Sequence, residues 1–128
     1  MIGIDIVSIA RMRNFVERFG IKGLRRFLCE EEIALCMKSS STFEAFNAQD
    51  VNITRIAGFW AAKEACSKAL GVGISRELGF LDIHLSKNDK NAPLLCLSDE
   101  KMKYFALNHI SLSISHDGGF AIAVVFCA

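Results

Sequence analysis

Glu64 and Lys68 stand four residues apart in the segment from Ile53 to Leu70, which is otherwise dominated by apolar side chains. That spacing stacks a carboxylate and an amine on one face of a helix. On a solvated helix such a pair is ordinary and worth about 0.2–0.5 kcal/mol. Here Ile53, Ile56, Ala57, Trp60 and Ala61 form one apolar stripe, and Phe59, Ala62, Cys66 and Ala69 form another. The helix therefore has little solvent face to spare, and buried charges need partners or a metal. A plain ion pair and a functional pair both remain open.

Asp5 poses the same question. Aspartate is depleted in strands, yet this one sits among isoleucines and a valine. It either caps a turn or reaches solvent, or it is a carboxylate held on a rigid element, as an Mg2+ site requires. Mg2+ takes a few hard oxygen ligands and completes its octahedron with water and substrate phosphates. Two carboxylates would make such a site, but nothing in the sequence brings Asp5 to Glu64. Gly71-Val72-Gly73 permits close backbone approach to a ligand, or simply stops the helix. The Gly-Lys-Ser/Thr of a P-loop is missing. His116, between Ser115 and Asp117, is a lone loop histidine of structural or functional use, and no Gly-x-Ser-x-Gly elbow occurs.

The elements that must position these groups follow from the pattern. Ile2 to Ile9 predicts a strand with Ile2, Ile4 and Ile6 on one face and Gly3, Asp5 and Val7 on the other. Arg11 to Phe19 predicts a helix ending near Gly20, and a second helix spans about Glu30 to Met37, led in by acidic residues. Ser39 to about Asp50 is the least apolar stretch and predicts a mobile loop. The long helix from Ile53 stops at Gly71. Strands are expected over Phe80–Leu85 and from Pro93 to Leu97, with a turn at 88–91 between them and a Ser98-capped helix over Asp99–Leu107 after them. Ile110–Ser115 and Phe120–Phe126 form a hairpin through His116-Asp117-Gly118-Gly119. The sum is one α+β domain over residues 1–128, a mainly antiparallel sheet packed against a long central helix.

Bulk composition narrows the setting. Of 128 residues, 52% are hydrophobic and 23% charged, and no apolar run approaches a membrane span, so the apolar excess must go into a core or a subunit interface. A net charge of +1 gives no sign of nucleic-acid binding. Arg11, Arg13, Arg18, Lys22, Arg25 and Arg26 nevertheless make a basic strip, which is a solvated helix face or a surface for an acidic partner. The five cysteines show no Cys-x-x-Cys spacing, and the chain opens without the basic start and apolar core of a signal peptide. Reduced thiols and a cytoplasmic location are expected.

Together these segments resemble a known family. Gly3-Ile4-Asp5-Ile6-Val7 resembles the opening motif of the holo-acyl-carrier-protein synthases, short members of the 4'-phosphopantetheinyl transferase superfamily. Ala61-Ala62-Lys63-Glu64-Ala65-Cys66-Ser67-Lys68-Ala69-Leu70-Gly71-Val72-Gly73-Ile74 is similar to their central signature, and Ser113-Ile114-Ser115-His116-Asp117 to their closing segment. Order and spacing agree over nearly the whole chain. The resemblance implies transfer of 4'-phosphopantetheine from coenzyme A to a serine of apo acyl carrier protein, releasing 3',5'-ADP, in support of fatty acid biosynthesis. It implies Mg2+ on Asp5 and Glu64 and Lys68 beside the coenzyme A diphosphate; a serine nucleophile needs a base, and Glu64, directly or through a metal-bound water, is the first candidate for it. Gly71 and Gly73 would lie near the nucleotide end, His116 on the coenzyme A side, and Arg11 on the carrier-docking surface. It also implies a homotrimer with active sites at subunit boundaries. The chain departs from the family at Phe59-Trp60, where an arginine usually precedes the aromatic residue, at Val72 and at Asn91-Ala92-Pro93. A binding module without catalysis and a thiol- or zinc-dependent protein are the competing readings. The retained acidic pair opposes the first and the cysteine spacing the second.

Overall fold

The computed structural model describes residues 1–38 and 46–128. Most of the loop expected between Ser39 and Asp50 lies outside the described residues. Strand β1 (Ile2–Ser8) leads directly into helix α1 (Ile9–Leu24), followed by α2 (Glu30–Cys36) and the long helix α3 (Ile53–Ala69). Strands β2 (His84–Lys87) and β3 (Pro93–Cys96) come next, then α4 (Asp99–Tyr104) and the hairpin β4 (Ile110–Asp117) and β5 (Phe120–Cys127).

Among the described residues, all strand pairing is antiparallel. β5 lies between β1 and β4, with Asp5 opposite Ala123 and His116 opposite Ala121, and β2 pairs with β3 as a separate ribbon. Helix α3 covers one face of the three-stranded sheet and is buried along most of its length. Its start is fixed by Asn52, whose side-chain oxygen accepts the Arg55 amide at 3.0 Å. Its end is fixed by Gly71 at φ +75°, which turns the chain so that the Val72 and Gly73 amides donate to the Ser67 carbonyl. Buried side chains of α1, α2, α3, β2, β3 and β5 belong to one continuous core. Among the described residues, no helix is long and apolar enough to cross a membrane.

The alternation expected of β1 is present, with a consequence for its two faces. Gly3, Asp5 and Val7 turn toward α3, while Ile2, Ile4 and Ile6 stand on the outer face, 71%, 59% and 58% exposed. Their partners on β5 are Phe126, Val124 and Ile122, so the outer face of the sheet is apolar and uncovered. As expected, the helical path that starts α1 stops at Gly20, which leaves the helical region at φ +58°, ψ −147°; a further short helical turn follows and buries Gly23 and Leu24. The segment read as a strand over Phe80–Leu85 is a single 3-10 turn, Phe80–Asp82, followed by β2. The last turn read into α4 is lost because Ala106 leaves the helical region at φ +55°.

Candidate active site

Asp5 points from β1 at α3 because the two elements touch backbone to backbone. A Cβ placed on Gly3 would lie 2.0 Å from the Ala65 carbonyl oxygen and 2.5 Å from the Ala69 amide nitrogen. Only glycine permits that approach. Two residues on, the Asp5 carboxylate meets Lys68: its Oδ1 accepts from Nζ at 2.8 Å, and the same amine donates to the Ile4 carbonyl at 3.2 Å. The aspartate side chain is 14% exposed and the lysine side chain 52%, so the pair sits at the wall of an open groove.

That groove has a volume of about 480 Å³ and contains Asp5, Arg11, Glu64 and Lys68 among its polar lining, with Met12, Phe15 and Trp60 as its apolar end. Glu64 and Lys68 are one turn apart on α3, as their spacing predicts. Partial burial, then the neighbouring negative charge of Asp5, push the Glu64 carboxyl above the usual carboxylate range, against the pull of Lys68. The hydrogen bond to Asp5 holds the Lys68 ammonium above its ordinary value despite some desolvation. Two carboxylates that repel each other at a groove wall fit a hard divalent cation, which relieves that repulsion. Among the described residues no cluster of three or more metal-ligating side chains occurs. A pair suffices for Mg2+ when phosphate oxygens supply further ligands.

Of the other residues singled out in the sequence, Arg11 shares this groove and the rest lie elsewhere. Arg11, whose amide caps onto Ser8, joins the same groove from the first turn of α1. His116 is on β4 and lines a second groove of about 460 Å³ with Asn52, Arg55, Lys87 and Pro93. Helix α3 separates the two grooves by side: Arg55, Gly58 and Phe59 line the His116 groove, whereas Trp60, Glu64 and Lys68, on another side of the helix, line the Asp5 groove. Gly71 and Gly73 line neither groove and shape the turn that ends α3.

Two residues at the centre of the molecule escaped the sequence reading. Lys63 is fully buried, and its Nζ donates to the Phe27 carbonyl at 2.7 Å, Glu32 Oε1 at 2.8 Å and the Phe80 carbonyl at 3.0 Å. Glu32 accepts in addition from the Cys29 and Leu85 amides, each at 2.8 Å. The available signal was a lysine flanked by Ala61-Ala62 and Ala65-Cys66, off the Glu64–Lys68 face of a largely apolar helix. Glu32 was hidden in the acidic lead-in to α2.

Known proteins resemble the chain throughout. The family model of the 4'-phosphopantetheinyl transferase superfamily matches residues 1–125. The holo-[acyl-carrier-protein] synthase of Helicobacter pylori is 59% identical over 98% of this chain and 94% of its own. That of Wolinella succinogenes is 54% identical with the same coverages. A crystal structure of the Helicobacter pylori enzyme in complex with coenzyme A superposes with a TM-score of 0.87, at 57% identity and over 100% of both chains. A Bacillus anthracis holo-(acyl-carrier-protein) synthase in complex with CoA (3',5'-ADP) gives 0.75, at 34% identity over 98% of this chain and 93% of that one.

Proposed function

The chain belongs to the 4'-phosphopantetheinyl transferase superfamily, among its holo-[acyl-carrier-protein] synthases, and from that premise we propose how its residues carry the reaction. The substrate is coenzyme A and the acceptor a serine of apo acyl carrier protein. The serine oxygen forms a bond to the phosphorus that bears pantetheine, the bond from that phosphorus to the other phosphate breaks, and 3',5'-ADP leaves. The observation that carries this reading is that Asp5, Glu64 and Lys68, from two rigid elements, line one groove with Arg11 at its side.

Phosphoryl transfer asks the protein mainly for positioning and for positive charge on the diphosphate. Asp5 and Glu64 would hold Mg2+, which when bound would offset the negative charge of the phosphate oxygens. Lys68, held in place by Asp5, presents a fixed ammonium to the same diphosphate. Glu64 accepts the serine proton, a role open to a carboxylate that lines the groove one turn from Lys68. Arg11 meets the acidic surface of the carrier at the groove's edge.

The nucleotide end of coenzyme A lies against Gly71 and Gly73 on one side and His116 on the other. One chain cannot supply all of these to a single groove, since His116 opens onto the second. A homotrimer, in which a neighbouring copy brings its His116 groove to the Asp5 groove, removes the difficulty. The uncovered apolar face built from Ile2, Ile4, Ile6, Ile122, Val124 and Phe126 supports association between copies. Release of 3',5'-ADP, followed by chromatography in a mixture of coenzyme A, apo carrier and Mg2+, tests the chemistry. Release should require the carrier and cease when Mg2+ is chelated; no release with all components present would contradict it.

A further inference from the structure

The Lys63–Glu32 pair is the one fully buried charge pair among the described residues, and the transfer reaction as derived does not use it. Its polar atoms bind segments far apart in the chain. Lys63 of α3 holds the carbonyls of Phe27, ahead of α2, and Phe80, ahead of β2, and Glu32 of α2 holds the amides of Cys29 and of Leu85 in β2. Stability alone is a poor reason for such a pair, because apolar side chains of similar volume commonly replace a buried ion pair without loss. What the pair supplies is a fixed geometry.

The direction of that geometry can be read from α3. Successive residues are about 100° apart around a helix. Glu64 is therefore flanked on one side by Lys63 and on the other by Ala65, whose carbonyl lies against Gly3 of β1. The lysine anchor and the glycine contact bracket Glu64 and leave α3 no free rotation. A side-chain carboxylate lies about 6 Å from the helix axis, so a turn of about 10° carries it through about 1 Å. An error of about 1 Å in a reacting group costs on the order of 100-fold in rate.

We propose that the buried Lys63–Glu32 pair is a positioning device that sets the rotation of α3 and so holds the Glu64 carboxylate in its place opposite Asp5. This rests on the transferase reading above. The pair acts through Glu64 and touches neither substrate. Its loss should therefore appear in turnover and not in carrier docking, which α1 supplies.

The test compares the unaltered protein with Glu32→Asp, which keeps the charge but draws the carboxylate back by one methylene, and with Glu32→Gln/Lys63→Met, which removes both charges. Each is labelled with fluorotryptophan at Trp60, the sole tryptophan, whose 19F resonance reports any turn of α3. The expected result is a folded protein with kcat lowered tenfold or more, the carrier KM within twofold and a shifted 19F resonance. Wild-type kcat in either folded variant overturns the proposal, as does a loss of kcat with the resonance unmoved. If neither variant folds at 20 °C the pair is structural, and the proposal fails. An inactive unaltered protein would instead contradict the transferase reading.

Discussion

Lys68 reaches from α3 across to β1 and places its Nζ 2.8 Å from Oδ1 of Asp5. With its side chain half exposed, the lysine gains little stability from that contact, since pairs of this kind contribute about 0–1 kcal/mol. Its value lies in fixing a positive charge beside the groove. Lys68→Met should change unfolding free energy by no more than about 1 kcal/mol, yet lower kcat about 100-fold or more, as expected when a preorganised charge is removed from a reacting phosphate. Denaturant unfolding and steady-state kinetics on one preparation decide it. Near-normal turnover would remove Lys68 from the site.

Removing either carboxylate should weaken the metal. Asp5→Asn or Glu64→Gln takes away one of two protein ligands, and the dissociation constant for Mn2+ as a stand-in for Mg2+, read by electron paramagnetic resonance, should rise at least tenfold, about 1.4 kcal/mol. Glu64→Gln should also lose turnover at saturating Mg2+. Unchanged affinity in both variants would contradict the assignment.

Gly3→Ala brings a methyl group against the backbone of α3, with no flexible side chain to give way. Strand and helix must separate, which should lower stability by about 1–3 kcal/mol, the usual range for overpacking. Activity should fall with it, because Asp5 moves with β1. Wild-type stability by urea titration would mean that β1 and α3 tolerate a wider spacing.

The uncovered sheet face predicts an assembly. Ile4→Lys places a charge in its middle, between Ile2 and Ile6 and opposite Val124. Sedimentation should report a larger species for the unaltered chain and a monomer for the variant, whose transferase activity should be lost. An unaltered chain that sediments as a monomer would contradict the trimer.

The thiols should be silent in catalysis. Burial pushes Cys36 and Cys66 up to about 12, so at pH 8 roughly one thiol in ten thousand is ionised. Cys96 is the exposed one. Alkylation of the native protein at pH 8 should modify Cys96 first, leave Cys36 and Cys66 untouched until unfolding, and spare activity. Inactivation that follows Cys96 labelling would reopen a thiol mechanism.

Much of this was legible in the sequence where one local signal dominates. The β1 alternation, the start of the long helix at Ile53, the Ser98 cap, the Gly71 stop and the β4–β5 hairpin all follow from short-range rules. The stop at Gly20 was readable too, but the short helical turn beyond it, which buries Gly23 and Leu24, was not. The strand read at Phe80 failed because alternation there reflects packing of a turn that offers its carbonyl to Lys63. The meeting of Asp5 with the Glu64–Lys68 turn was not readable, since it depends on β1 lying directly on α3. Gly3 carried the hint. Which face of β1 is inner could not be read either, because isoleucines suit a core and an interface equally.

The central claim is tested most directly by intact-mass analysis of apo acyl carrier protein incubated with this protein, coenzyme A and Mg2+, beside a control containing EDTA. The account predicts a carrier heavier by one phosphopantetheine, with no gain in the control. A carrier of unchanged mass, from a protein that still binds coenzyme A, would contradict it.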